Sequence, residues 1–118
     1  MIGIGVDIET IERFEGEAMA RNRSFLNKIY TEAEIEYSFS KKSPSQHLAA
    51  RYAAKEAVIK ACSSIGIQIV NYKEIEILNN EQGVPLVRTY NEKINDLDIK
   101  VSLSHCTDKA IAFALISS

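Results

Sequence analysis

The sequence predicts an α+β fold: a small, mostly antiparallel sheet packed on one long central helix. Three observations carry this. Residues 2–8 and 99–104 alternate apolar with polar or small side chains, the period of a strand with two unlike faces. Residues 46–63, QHLAARYAAKEAVIKACS, run without a single Gly or Pro, long enough for about five helical turns. Two short strand-like runs flank Asn79-Asn80-Glu81-Gln82-Gly83, a cluster of turn formers.

Taken in order, the first strand sets Ile2, Ile4, Val6 and Ile8 on one face, which is expected to be the packed one, and Gly3, Gly5 and Asp7 on the other. The glycine side leaves room for another backbone or a ligand to come close. Residues 10–40 read as short helices, one opened by the capping box Thr31-Glu32-Ala33-Glu34. Lys41-Lys42-Ser43-Pro44-Ser45 is a polar break, with Ser45 the expected N-cap of the long helix. At about 100° per residue, Ala50, Ala53, Ala54, Ala57 and Ala61 share one face of that helix, and Leu48, Tyr52, Ile59 and Cys62 the opposite one. A helix apolar on two sides is central, and its alanine side admits a close neighbour. Arg51, Lys55, Glu56 and Lys60 interrupt it. Gly66 closes the region. Strands are expected over 74–78 and 84–88, the latter with Pro85 at an edge or strand start, and a short helix over 91–97. Residues 107–109 turn the chain into 110–116, a strand apolar on both faces. With no repeat and no linker, residues 1–118 are expected to form a single domain.

Composition removes several classes. Hydrophobic residues are 46% and charged residues 25% of 118, which argues for a globular chain and against disorder. The formal charge of −2 argues against a nucleic-acid partner. No apolar run approaches the ~20 residues of a membrane span, and Asp7 comes too early for a signal-peptide core. Cys62 and Cys106 read as two reduced thiols of a cytoplasmic protein.

Few residues stand out for chemistry. Asp7 beside bare backbone suits a hard cation or a phosphate site, and equally a solvent-facing acid. Glu56 lies among apolar helix positions, where an unpartnered carboxylate is costly. Lys60, four residues later, is placed either to pair with Glu56 or to neutralise a phosphate while Glu56 holds a metal. His105 follows a strand directly, as surface or satisfied histidines commonly do. The two histidines, His47 and His105, stand far apart and give no zinc spacing. No nucleophile–base pair, P-loop or dinucleotide fingerprint occurs. Arg21, Arg23 and Lys28, with no acid between 18 and 31 and Arg13 upstream, form a locally basic stretch, either a solvated face or a docking surface for an acidic partner.

Three blocks occur in order: Gly5-Val6-Asp7-Ile8, then Arg51-Tyr52-Ala53-Ala54-Lys55-Glu56-Ala57-x-x-Lys60-Ala61, then Val101-Ser102-Leu103-Ser104-His105. Together they resemble the 4′-phosphopantetheinyl transferases of the short holo-acyl-carrier-protein synthase type, and the resemblance spans nearly the whole chain. It implies Mg²⁺-dependent transfer of the phosphopantetheine arm of coenzyme A to a serine of an acidic apo-acyl carrier protein, with release of adenosine 3′,5′-bisphosphate. It implies that Asp7 and Glu56 hold Mg²⁺, that Lys60 lies at the diphosphate, and that Arg51, Gly83, Pro85 and His105 line the coenzyme A site. Catalytic roles fall to Glu56, Lys60 and His105. Arg13 and Arg21 fall in the segment that docks carrier protein. It further implies a homotrimer in which Asp7, Glu56 and Lys60 of one subunit face Arg51, Pro85 and His105 of its neighbour. The apolar second face of 110–116 independently calls for an oligomeric partner. The chain departs from the family at Tyr52, where phenylalanine is common, at Cys62–Gly66, where a glycine-rich stretch is frequent, and at Cys106, where threonine is often seen. A Mg²⁺-dependent phosphohydrolase using the same acids, or a non-catalytic α+β binding module, are the competing readings.

Overall fold

A computed structural model describes residues 1–16 and 22–118. Strand β1 spans Ile2–Thr10 and runs into a 3-10 turn over Ile11–Phe14. Helices α1 (Arg23–Ile29), α2 (Glu32–Phe39) and α3 (Pro44–Ser64) follow, then a 3-10 turn over Tyr72–Glu74. Strands β2 (Ile75–Asn79), β3 (Pro85–Thr89), β4 (Asp98–His105) and β5 (Lys109–Ser117) complete the described chain. The α+β class holds, and every strand pairing is antiparallel. The strands form two sheets rather than the one expected, β1-β5-β4 and the hairpin β2-β3.

The faces of β1 are the reverse of the expectation. Ile2, Ile4, Val6 and Ile8 are 69, 56, 51 and 58% exposed, while Gly3 and Gly5 are buried against α3. A Cβ on Gly3 would lie 2.4 Å from the Ala61 carbonyl oxygen, and one on Gly5 2.1 Å from that of Ala57. The helix therefore runs antiparallel to the strand, with backbone against backbone. Glycine meeting alanine is what permits this approach, so the small face is the one that packs. The neighbouring strands follow suit. Ala110, Ala112, Ala114 and Ile116 of β5 are buried beneath α3, and Ile99, Val101 and Leu103 of β4 are half-buried on the same side. On the outer side, β5 continues the isoleucine stripe through the pairs Ile8–Ile111 and Val6–Phe113. The strand is thus apolar on both faces, as expected.

Two apolar centres flank α3. Val58, Cys62, Ile75, Ile77, Ile94 and Ile116 fill one, between the helix and the two sheets. Phe14, Leu26, Tyr30, Leu48 and Tyr52 fill the other, under α1 and the first half of α3. The capping box of α2 forms: Thr31 Oγ1 accepts from the Glu34 amide at 3.4 Å and Glu34 Oε1 from the Thr31 amide at 2.8 Å. Helix α3 starts earlier than expected, with Ser43 at the N-cap and Pro44 in the first turn, because proline's missing N–H and fixed φ suit that position. Residues 91–97 are turns, not a helix. Asn91 Oδ1 accepts from the Lys93 amide at 2.8 Å, closing the backbone on itself locally before β4 begins.

Candidate active site

Beyond the glycines, the inner face of β1 carries Asp7 and then Glu9. Asp7 Oδ1 accepts from Lys60 Nζ at 3.2 Å, and the same ammonium donates to the Val6 carbonyl at 3.0 Å. Lys60 reaches the strand because the glycine–alanine contact holds α3 so close. Asp7 Oδ2 is buried without a partner among the described residues. Glu9 accepts from the Arg13 guanidinium at 2.9 Å. Burial and Asp7, and more weakly Glu56, nevertheless push its carboxyl up to about 7. Glu56 sits half-buried on α3 and accepts from the Tyr72 hydroxyl at 3.1 Å. The Glu56–Lys60 pair, one of the two readings of that spacing, is not made: Lys60 turns to β1 and Tyr72 takes Glu56. Glu9 thus feels the charges of both Asp7 and Glu56, and one half-exposed lysine stands beside Asp7. A depression of about 300 Å³ opens beside Asp7 and Lys60, lined also by Val6, Ile8 and Ile111.

The donor set fits a hard divalent cation. It is all oxygen, it is over-charged for its surroundings, and it leaves one buried carboxylate oxygen without a hydrogen bond. Among the described residues no three acidic, histidine or cysteine side chains converge to cage an ion on their own. A divalent cation held by so few protein oxygens would keep waters and take further oxygens from substrate phosphates.

A second cluster lies at the other end of α3. Arg51 is only 2% exposed and donates to Asn79 Oδ1, with its guanidinium 4.2 Å from the ring centroid of Tyr37. Asn79 Nδ2 donates to the Gly83 carbonyl at 3.0 Å, and Asn79 pairs with Pro85 across the hairpin. Gly83 has φ +81°, a conformation that glycine adopts without steric cost. Arg51, Gly83 and Pro85 are therefore one connected corner. Burial lowers the Arg51 guanidinium and the His47 imidazole, and His47 also feels the charges of Arg51, Lys41 and His105. His105 ends β4 in the row Glu9–Ala110–His105 on the helix side of the sheet, two strand spacings or about 10 Å from Glu9. The structure thus joins Asp7 to Lys60, leaves Glu56 bonded to Tyr72, and links Arg51 to Gly83 and Pro85. Among the described residues it records no hydrogen bond between the two sets. Arg13 lies over the rings of Phe14 and Tyr52, at 5.4 and 5.1 Å, with its side chain 51% exposed. Arg21 lies outside the described residues.

Sequence reasoning missed Glu9, Tyr72 and Asn79. Glu9 was within reach of it, two positions from Asp7 on the same strand face. Nothing local signals that Tyr72 returns to α3.

A carboxylate cluster, a flanking lysine and a separate cationic corner on this fold define a class. The family model of the 4′-phosphopantetheinyl transferase superfamily matches residues 3–114, and the chain belongs to that superfamily. Within it, the chain is 44% identical over 117 residues to the holo-[acyl-carrier-protein] synthase of Thermodesulfovibrio yellowstonii, covering 98% of this chain and 97% of that one. It is 42% identical over 126 residues to the synthase of the same name from Clostridium perfringens, covering 98% and 93%. Among solved structures, the ACPS–CoA complex of Chronobacterium ammoniagenes superposes with a TM-score of 0.82 at 31% identity, covering 98% of this chain and 96% of that one. The holo-(acyl-carrier-protein) synthase of Bacillus anthracis in complex with CoA (3′,5′-ADP) gives 0.75 at 30%, covering 97% and 94%.

Proposed function

We propose that this chain is a holo-[acyl-carrier-protein] synthase: it transfers the 4′-phosphopantetheine arm of coenzyme A to a serine hydroxyl of an apo-acyl carrier protein and releases adenosine 3′,5′-bisphosphate. The relatives' names and the coenzyme A bound in the similar structures support the two substrates. The observation that carries the chemistry is the orphaned oxygen of Asp7 beside Lys60.

Asp7 and Glu56 hold Mg²⁺ in this reading, and the bound ion supplies charge neutralisation and alignment of the diphosphate. Lys60, half-exposed and already aimed at Asp7, swings to a phosphate oxygen as substrate arrives. Attack of the serine oxygen on the phosphorus that bears pantetheine forms one P–O bond and breaks the one to adenosine bisphosphate. Glu56 or a water it orients takes the serine proton. Such a displacement needs positioning and electrostatics rather than a protein nucleophile, in keeping with the lack of any nucleophile motif. Arg51, Gly83, Pro85 and His105 hold the nucleotide end of coenzyme A. The basic residues Arg13 and Arg21 meet the acidic carrier.

The same reading takes residues 1–118 as one transferase domain working as a homotrimer. The outer stripe of Ile2, Ile4, Val6, Ile8, Ile111 and Phe113 supports self-association, and the number three rests on the family resemblance. Among the described residues no helix is long and apolar enough to cross a membrane. Cytoplasmic residence accords with two free thiols, Cys62 and Cys106.

The test is to incubate the protein with coenzyme A, Mg²⁺ and apo-carrier protein. The carrier should gain the mass of the arm, and Asp7→Ala or Glu56→Ala should abolish the gain with little change in melting temperature. Adenosine bisphosphate released without carrier would favour the phosphohydrolase instead, and neither product would favour a binding module.

A further inference from the structure

Glu56 has three rotatable side-chain bonds and sits at the rim of α3, so its carboxylate needs something to aim it. Among the described residues a single hydroxyl donates to it, that of Tyr72, at 3.1 Å on Oε2. Tyr72 is itself held in two ways. Its carbonyl accepts from the buried ammonium of Lys55 at 3.0 Å. Its ring stacks on that of Tyr52, with centroids 5.7 Å apart and planes 19° from parallel. Tyr52 in turn is 9% exposed and packed against Phe14 and Phe25. The hydroxyl is thus delivered by a ring with little freedom, from a 3-10 turn that belongs neither to α3 nor to β1.

We propose that Tyr72 is a positioning residue for the metal site. Its hydroxyl fixes Glu56 by one carboxylate oxygen and leaves the other free for a divalent cation. The proposal rests on the reading of Glu56 as a metal ligand. A group that orients a ligand through its outer oxygen commonly contributes about 10- to 100-fold to metal affinity. The stack with Tyr52 and the bond from Lys55 do not involve the hydroxyl, so Tyr72→Phe removes the aim and keeps the packing.

The experiment is a Mn²⁺ titration of the intact protein, with free Mn²⁺ read by electron paramagnetic resonance, on wild type, Tyr72→Phe, Glu56→Gln and the double variant. Tyr72→Phe should weaken Mn²⁺ binding about 10-fold, with an unchanged melting temperature. Glu56→Gln should weaken it more, and the double variant should match Glu56→Gln alone, since the hydroxyl acts only through that carboxylate. In turnover, Tyr72→Phe should raise the Mg²⁺ concentration for half-maximal rate and leave the rate at saturating Mg²⁺ close to wild type. Wild-type Mn²⁺ affinity in Tyr72→Phe together with a loss in Glu56→Gln would overturn the role of Tyr72 and spare the site. Wild-type affinity in Glu56→Gln would overturn the metal assignment itself. Additive losses in the double variant would show that the hydroxyl acts on some other group and would also overturn the proposal.

Discussion

The ammonium of Lys55 is cut off from water, with its side chain 0% exposed, and it is satisfied on every side. It pairs with Glu34 at 2.7 Å and donates to the carbonyls of Tyr72 at 3.0 Å and Ile75 at 2.6 Å. Glu34 is equally buried, and its other oxygen accepts from the Ile77 amide at 2.8 Å while the first closes the cap of α2. Four segments are locked by one ion pair, so removing either partner strands the other charge. Glu34→Ala should lower unfolding free energy by about 3–5 kcal/mol, read as a shift in urea midpoint. Glu34→Leu combined with Lys55→Met should recover much of that loss, because it leaves no lone charge behind. In the sequence Lys55 reads only as a polar interruption of a buried helix. Asp7, Glu56 and Lys60 were legible because each stands in a short local pattern. The partners that set their geometry, Tyr72 for Glu56 and Glu34 for Lys55, come from remote segments, and no periodicity encodes such meetings.

At the scale of elements, the decisive contact is α3 on β1. Its tolerance is small, since a Cβ on Gly5 would meet the Ala57 oxygen at 2.1 Å and the Ala61 nitrogen at 2.7 Å. Both are backbone atoms and cannot swing aside. Gly5→Ala should therefore cost about 3 kcal/mol or more, seen as a fall in melting temperature. It should also reduce transfer, because α3 carries Glu56 and Lys60 away from Asp7 as it lifts. The strand itself was plain from alternation, yet alternation gives a period and does not say which face is inside. The usual rule that apolar faces pack fails here because the partner helix presents alanine, and small against small brings the backbones closest. Helix α3 was legible almost end to end from its lack of Gly and Pro. The expected helix over 91–97 was not realised, since Asn91 bonds its own neighbours and Asp98 already belongs to β4.

For the whole molecule, the inversion of β1 turns an expected core into an outer surface. Ile4, Val6, Ile8, Ile111 and Phe113 are each 39% exposed or more, and they adjoin one another through the β1–β5 pairing. Sedimentation should show a trimer, and Val6→Asp with Phe113→Asp should dissociate it. Mixing inactive Glu56→Ala and His105→Ala subunits should restore part of the activity after verified subunit exchange; no recovery would exclude a site shared between neighbours. Docking of the carrier belongs to the same scale. Arg13→Glu should raise KM for carrier protein more than for coenzyme A. The difference should shrink with added salt, as exposed charges are screened over about 10 Å at 0.1 M. Equal effects on both substrates would mark Arg13 as structural, acting through Glu9. The alternation of β1 also has a consequence for how the chain finds its native pairing. A slip of one residue against β5 would drive isoleucine side chains into the helix backbone and turn bare glycine outward, so the error is penalised on both faces at once. Most half-buried strands reject a slipped register only through misplaced polarity. This one rejects it by sheer volume as well, a proofreading built into the first ten residues of the chain.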